Sequence, residues 1–288
     1  MATKQSPRSN NLIRLNKFLA DSGLASRRKA EGLILTGAVQ VNGKTVTELA
    51  VRVNPHVDRV TVNGKPIKPP SLKLYVIFNK PENVLTSMSD PEGRPTVGNF
   101  MEQLPVRVFP VGRLDWDTEG LLLLTNDGDF AQQVMHPKHE IPKTYLAKLD
   151  GQPTQEQLDK LLRGVTIPGG RVSAIHVERA KVGHSEQYDW IKIIIGEGKN
   201  RQVRHMFNKI GFDVKKLKRV AIGQLTLGPL QKGEFAFLDE GGLRKIFAVR
   251  RDDTEQERKT AIRKRKASGK PRPPKRKPSR TPSRPGRG

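Results

Sequence analysis

The chain contains no cysteine. That excludes a disulfide scaffold, a zinc ribbon, a thiol nucleophile and a thiolate-held iron–sulfur cluster. Aromatic residues make up only 5%, too few for a broad platform that stacks single-stranded nucleic acid. No apolar run approaches the roughly 20 residues that span a bilayer. The opening residues, MATKQSPRSNN, lack the hydrophobic stretch of a secretory signal. There is no GxxxxGK followed by Ser or Thr, no GxGxxG and no HExxH, so phosphate cradles and zincin chemistry have no support. Acids are also scarce: 29 Asp and Glu stand against 53 Lys and Arg, for a net charge of +24 over 288 residues. That excess points to a polyanionic partner, either nucleic acid or an anionic membrane surface. Together with the absences, this predicts a soluble, cytoplasmic protein that binds a polyanion.

The charge is unevenly spread. From Arg258 to Gly288 there are 14 Lys or Arg and no acid, which leaves ten of the net charges for the rest. This Pro-rich stretch has almost nothing to bury and repels itself, so residues 251–288 are expected to form a disordered basic tail. A sequence-blind RNA tether and a removable solubilising extension fit its composition equally well. Residues 1–11 are expected to be a flexible N-terminus.

Residues 12–69 read as a small module. An amphipathic segment over 12–19 ends at Gly23. Ser26 is placed to cap a second helix whose apolar face uses Ala30, Leu33 and Ile34, with Gly37 as its stop. Two similar pieces follow, VQVNGKTV and VTVNGKPI. Each alternates around Asn-Gly, the signature of a tight hairpin. Arg14, Lys17, Arg27, Arg28 and Lys29 sit on or beside the two helices. A solvated helical face would explain them by charge alone. The order R-L-N-K-F-L-A-D-S-G-L-A-S-R-R-K-A-E, then G-A-V-Q-V-N-G-K, is more specific: it resembles the S4 RNA-binding domain. The resemblance implies that these five cations contact structured RNA while the hairpins form a supporting sheet. The stiff linker KPIKPPSLK then marks a boundary.

Residues 72–250 alternate short strands and helices, which suggests an α+β domain. Strands are expected at 74–78, 106–111, 145–149, 172–177, 190–195 and 220–227. A helix is expected over 200–210, ending at Gly211. The polar stretch 86–96, TSMSDPEGRPT, reads as a loop.

The most unusual segment is FPVGRLDWDTEGLLLLTNDGDF, residues 109–130. It places Asp115 between two apolar runs, where an acid is expensive unless paired or used. Arg113 is a candidate partner, and a turn-bracing role for Asp115 fits the spacing as well. Asp117, Asp127 and Asp129 raise a magnesium site as an alternative, although TNDGD is ordinary turn composition. Trp116 fits either stacking on RNA or packing in the turn. The six histidines show no metal-ligand spacing, so no metal and no cofactor is assigned.

The string G-R-L-D-x-x-T-x-G-L-L-L-L-T-N-D-G resembles the catalytic motif of the ribosomal-RNA pseudouridine synthases of the RsuA group, which carry an N-terminal S4 domain. K-T-Y at 143–145, G-E-G-K-N-R-Q-V-R-H-M at 196–206 and L-K-R-V-A-I-G at 217–223 fit the family's further motifs in order. Within the group, D-P-E-G-R-P-T-V at 90–97 is most similar to members acting on the large-subunit RNA. The fold implied is a mostly antiparallel mixed sheet flanked by helices. The activity implied is isomerisation of a ribosomal uridine to pseudouridine by a monomer, with ribosomal RNA as partner and no small-molecule cofactor or membrane. By resemblance, Asp115 is the catalytic carboxylate, Arg204 its basic partner, Tyr145 the residue against the flipped base, and Leu217 the apolar wall. Arg113, Lys199, Arg201, Lys215, Lys216, Lys218 and Arg219 would then hold RNA. Without the resemblance, a solvated helical face is the lesser alternative for Arg204, and Tyr145 reads as a core filler with its hydroxyl at the rim. One departure is visible: the group often has Gly two residues after Lys-Pro, where this chain has Asn83. Asn tolerates positive φ, so the turn is expected to survive.

The chemistry agrees with the absences. The reaction detaches uracil at N1 and reattaches it through C5, with no redox change and no net hydrolysis. The base must leave the stack, so a pocket is needed. A carboxylate suits covalent catalysis or stabilisation of a sugar-centred charge.

Overall fold

The computed structural model describes residues 12–180 and 190–248. The N-terminal residues 1–11 and the basic tail 251–288 lie outside the described residues.

The N-terminal part opens with β1 (Ile13–Arg14), α1 (Leu15–Asp21) and α2 (Arg27–Leu35). Ser26 caps α2 by accepting from the Lys29 N–H at 3.2 Å. Gly37 follows that helix at φ +72°. The segment expected to start as helix at residue 12 instead opens as β1, which pairs antiparallel with β4 (Arg52–Val53). The strands β2 (Val39–Val41), β3 (Lys44–Val46), β5 (Val60–Val62) and β6 (Lys65–Ile67) form a sheet in the order β3-β2-β5-β6. Both hairpins turn on Asn-Gly with positive φ at each residue: Asn42 +52° and Gly43 +82°, Asn63 +49° and Gly64 +75°. Leu15, Phe18, Leu19, Ala30, Ile34 and the inward valines of this sheet form a core of their own.

The larger part is built on a nine-stranded mixed sheet. Its elements are β7 (Tyr75–Lys80), β8 (Phe109–Val111), β9 (Thr118–Thr125), α3 (Gly128–Met135), β10 (Lys143–Leu149), α4 (Gln155–Arg163), the small hairpin β11 (Val165–Ile167) and β12 (Gly170–Val172), β13 (His176–Ala180), β14 (Trp190–Ile195), α5 (Gln202–Asn208), β15 (Val214–Ile222), β16 (Leu225–Thr226), β17 (Phe235–Phe237) and α6 (Glu240–Phe247). The sheet order is β13-β14-β10-β15-β9-β7-β17, with β8 beside β9 and β16 beside β15. Among the strands described, only β15 and β9 pair in parallel, so the fold is α+β with a mostly antiparallel mixed sheet. Strand β9 is buried at every position. Leu122 and Leu124 enter the core shared with α4 and α5, and Leu121 and Leu123 enter the core shared with α3 and α6. Burial on both faces is why this strand reads as a continuous leucine run.

Two expected strands are corrected. Residues 172–177 are not one strand: the chain leaves β12, the Ala174 N–H bonds Leu161 O of α4 at 2.9 Å, and the large sheet is joined only at β13. The strand expected at 220–227 begins at Val214 and ends at Ile222. Its first half, VKKLKR, hides a strand inside a basic run, with Leu217 and Arg219 on the buried side.

Candidate active site

Asp115 lies in the loop between β8 and β9, and that loop is fixed from several directions. The Thr86 hydroxyl donates to Leu114 O at 2.6 Å and accepts from the Leu114 N–H at 3.2 Å. The Lys80 ammonium, fully buried, donates to the carbonyls of Pro81 (2.9 Å), Asp115 (3.2 Å) and Thr118 (2.9 Å). The Asn83 N–H donates to Trp116 O at 2.9 Å, and Asn83 sits at φ +59°, as its place after Lys-Pro demands. Arg204 donates to Asp117 O at 2.9 Å. Every carbonyl from Leu114 to Thr118 is thus held by a group outside the loop. Such over-determination presents a side chain in one geometry before any substrate arrives.

Burial pushes the Lys80 pKa down to about 8, against the attraction of Asp115 and the neighbouring acids. At neutral pH it remains mostly an ammonium. Nothing in the sequence beyond Lys-Pro at a strand end marked this residue, because its role is defined by carbonyls that come together only in the fold.

A cavity of about 530 Å³ opens beside the loop. Asp115, Tyr145, Leu217, Arg113, Lys199 and Arg201 all line it. The β10–β15 pairing places Tyr145 opposite Arg219. The parallel pairing of β15 with β9 puts Leu217 beside Thr118 and Arg219 beside Gly120, at the strand entry just past the Asp115 loop. Gly120 has φ +108°, and a Cβ there would overlap the Arg219 backbone carbonyl. The close approach of these two strands therefore needs glycine.

The cations are distributed differently from the sequence expectation. Arg204 does not line the cavity and makes no ion pair with Asp115; its guanidinium bonds Val214 O at 2.7 Å and pairs with Asp117 at 3.2 Å. The cation that reaches Asp115 is Arg201, at 3.7 Å, which also meets Asp117 at 3.2 Å. Arg201 is not on the helix face: it precedes α5 with φ +46°. Burial works against the charge of Asp117, but Arg201 and Arg204 outweigh it and hold its pKa below the ordinary carboxylate value. Arg113 is exposed at the cavity and forms no ion pair with Asp115. Lys199 bonds Gly169 O at 2.8 Å, tying the β11–β12 turn to the segment before α5.

Arg219, grouped by sequence with surface cations, is only 4% exposed and lines the cavity. Its Nε donates to Leu121 O at 2.8 Å and Nη1 lies 3.4 Å from the Tyr145 hydroxyl. The alternation of VKKLKRVAI at period two is the signal that could have found it.

The remaining acids do not gather. Asp127 caps α3 and pairs with Lys73, and Asp129 meets Lys17. Among the described residues, no group of three or more His, Asp or Glu is placed to hold a metal. In the N-terminal part, Arg14, Arg27, Arg28 and Lys29 are exposed, and among the described residues none has a carboxylate within 4 Å. Lys17 is different: it bonds Asp21 at 2.9 Å and approaches Asp129 of α3 at 3.4 Å. Burial opposes its charge, but the two carboxylates hold its pKa above the ordinary value. It links α1 to α3 through these two carboxylates.

Exposed cations on a small helical module, together with a firmly held carboxylate in an open cavity, fit an enzyme that acts on RNA. Comparison with known proteins gives the family. Residues 13–58 match the S4 domain and residues 74–209 match the RNA pseudouridylate synthase family. The chain is 44% identical over 236 residues to ribosomal large subunit pseudouridine synthase B of Bacillus subtilis, covering 82% of this chain and 96% of that one. It is 43% identical to an RNA pseudouridine synthase of Aquifex aeolicus, covering 82% and 94%. A crystal structure of a pseudouridylate synthase superposes with a TM-score of 0.58 at 28% identity, covering 81% and 99%. The chain belongs to the RNA pseudouridine synthases, and it is an isomerase with an S4 domain at its N-terminus.

Proposed function

We propose that this enzyme isomerises one uridine of large-subunit ribosomal RNA, with Asp115 as the catalytic carboxylate. The name of the Bacillus subtilis relative supports the choice of RNA. The observation that carries the residue assignment is the Asp115 loop, held at five successive carbonyls beside a single cavity.

The target base leaves the stack and enters the cavity, whose volume suits one nucleoside. The Asp115 carboxylate faces C1′ of the ribose and meets the positive charge that forms as the bond to N1 weakens. Tyr145 stacks on the base, and Leu217 closes the apolar side. Arg204 acts through Asp117 and the loop backbone, as a positioning residue. Arg201 holds Asp115 and Asp117 together at the cavity mouth. Arg14, Arg27, Arg28 and Lys29 hold phosphates of the surrounding RNA fold, which fixes register without reading sequence.

Pseudouridine maps of large- and small-subunit ribosomal RNA from cells with and without the gene test this reading. One large-subunit position should lose its pseudouridine. Loss in the small subunit instead, or no loss in either, overturns it.

A further inference from the structure

The cavity holds a feature that the roles above leave unused. Lys143 and Arg219 both line it, and among the described residues neither has a carboxylate within ion-pairing distance. Lys143 donates to Ile141 O at 2.9 Å and Gly196 O at 3.3 Å, both neutral acceptors. Arg219 is spent only on Leu121 O and the Tyr145 hydroxyl, and its Nη2 is buried with no partner at all. Burial lowers the pKa of Lys143, and the charge of Arg219 pushes it the same way. Two like charges in a half-dry site, one of them carrying a buried donor without a partner, are costly unless an anion arrives.

The proposed reaction supplies one. When the C1′–N1 bond breaks, its electron pair stays with the base, and the uracil carries a negative charge spread over N1, O2 and O4. C1′ is quenched by a bond to an Asp115 oxygen or by loss of the C2′ proton to it. The base then turns, and C5 bonds to C1′ as the Asp115–C1′ bond breaks or, on the other route, as Asp115 returns the proton to C2′; the C5 proton then leaves to a basic group in the cavity, and N1 takes up a proton from water. Between the two bond changes the detached uracil is a free anion that must be held and allowed to rotate.

We propose that Lys143 and Arg219 form the anion-holding subsite for this detached uracil. Their N–H groups meet its carbonyl oxygens and stabilise the charge that appears only after the bond breaks. Delocalised anions accept from several directions, so a pair of cations without a rigid carboxylate lets the ring turn while it is held. This assignment rests on the isomerase reading above and goes beyond it.

The test uses the full chain and large-subunit ribosomal RNA transcribed with either uridine or 5-fluorouridine. Fluorine at C5 stabilises the uracil anion by itself. Lys143→Met and Arg219→Met should each slow single-turnover pseudouridine formation at saturating RNA by about 100-fold. The Kd for RNA should stay within about threefold, because phosphates dominate affinity. On the fluorinated transcript, disappearance of 5-fluorouridine from nuclease digests should be slowed only about 10-fold by the same changes. Arg219→Lys, which keeps the charge and loses the bond to Leu121, should recover at least part of the uridine rate. Equal losses on both transcripts, or a loss confined to Kd, overturn the subsite. If the wild-type chain forms no pseudouridine, the isomerase reading fails first, and the subsite with it.

Discussion

The exposed cations of the N-terminal part and the buried cations around the cavity are the same residue types put to opposite uses. Arg27, Arg28 and Lys29 form the first turn of α2, project to solvent and meet no acid among the described residues. Lys80, Arg204 and Arg219 are sunk in the larger part and point mainly at backbone carbonyls. The first set is positioned for any polyanion, screened by salt and tolerant of small displacements. The second set fixes a loop and a strand to within a hydrogen-bond length, where salt hardly reaches. Affinity for RNA and rate of isomerisation should therefore come apart under mutation.

Among the positioning residues, Lys80 offers the largest separation. Lys80→Met leaves three carbonyls without their shared donor. Unfolding should become easier by about 3 kcal/mol, since hydrogen bonds to a charged group contribute about 1.5–3 each and solvent recovers some of the loss. The single-turnover rate should fall about 100-fold through a loosened Asp115, with RNA affinity little changed. Thermal melts and rates at saturating RNA check both; a variant that keeps its rate would remove Lys80 from the site. The reverse separation is expected for Arg27→Glu, Arg28→Glu and Lys29→Glu combined. RNA affinity should drop about 100-fold, and the slope of log affinity against log salt should shrink by about 2–3, while the saturated rate holds.

A smaller effect follows from pH. The folded Lys80 releases its proton near pH 8, whereas an unfolded lysine does so near 10.5. Between these values the unfolded chain binds more protons, so this group makes stability rise with pH. Its hold on the Asp115 loop weakens over the same interval. Rate and stability should move in opposite directions above pH 8, and both trends should vanish in Lys80→Met. Smallest of all is Lys17→Gln. Because Lys17 is already engaged by Asp21 and Asp129, RNA affinity should change by less than about twofold, and stability by at most about 1 kcal/mol. A tenfold loss of affinity would return Lys17 to the RNA-contacting set.

What could be read from the sequence follows the same division. Local chemistry was legible: the Ser26 cap, both Asn-Gly turns, the positive φ of Asn83 and the doubly buried leucines of β9 each follow from a few neighbouring residues. Asp115, Tyr145 and Leu217 stood out through their motifs, and the fold brings them to one cavity. The cations were the weak point. A guanidinium's partner is set by which carbonyl or carboxylate the fold brings near, so Arg204 was matched to Asp115 although it meets Asp117. Arg219 was hidden in a basic run because a strand's period of two is hard to see when most of its outward residues are Lys. The spacing puts Arg201 on a helix that it only precedes, since a left-handed residue at a non-glycine site leaves no trace in composition.

The most direct test of the account is Asp115→Asn, which keeps the side chain's shape and removes its charge. Binding to large-subunit ribosomal RNA and single-turnover pseudouridine formation should be measured on the same preparation. The account predicts binding within several-fold of wild type and no detectable product. Product formed at the wild-type rate would contradict it.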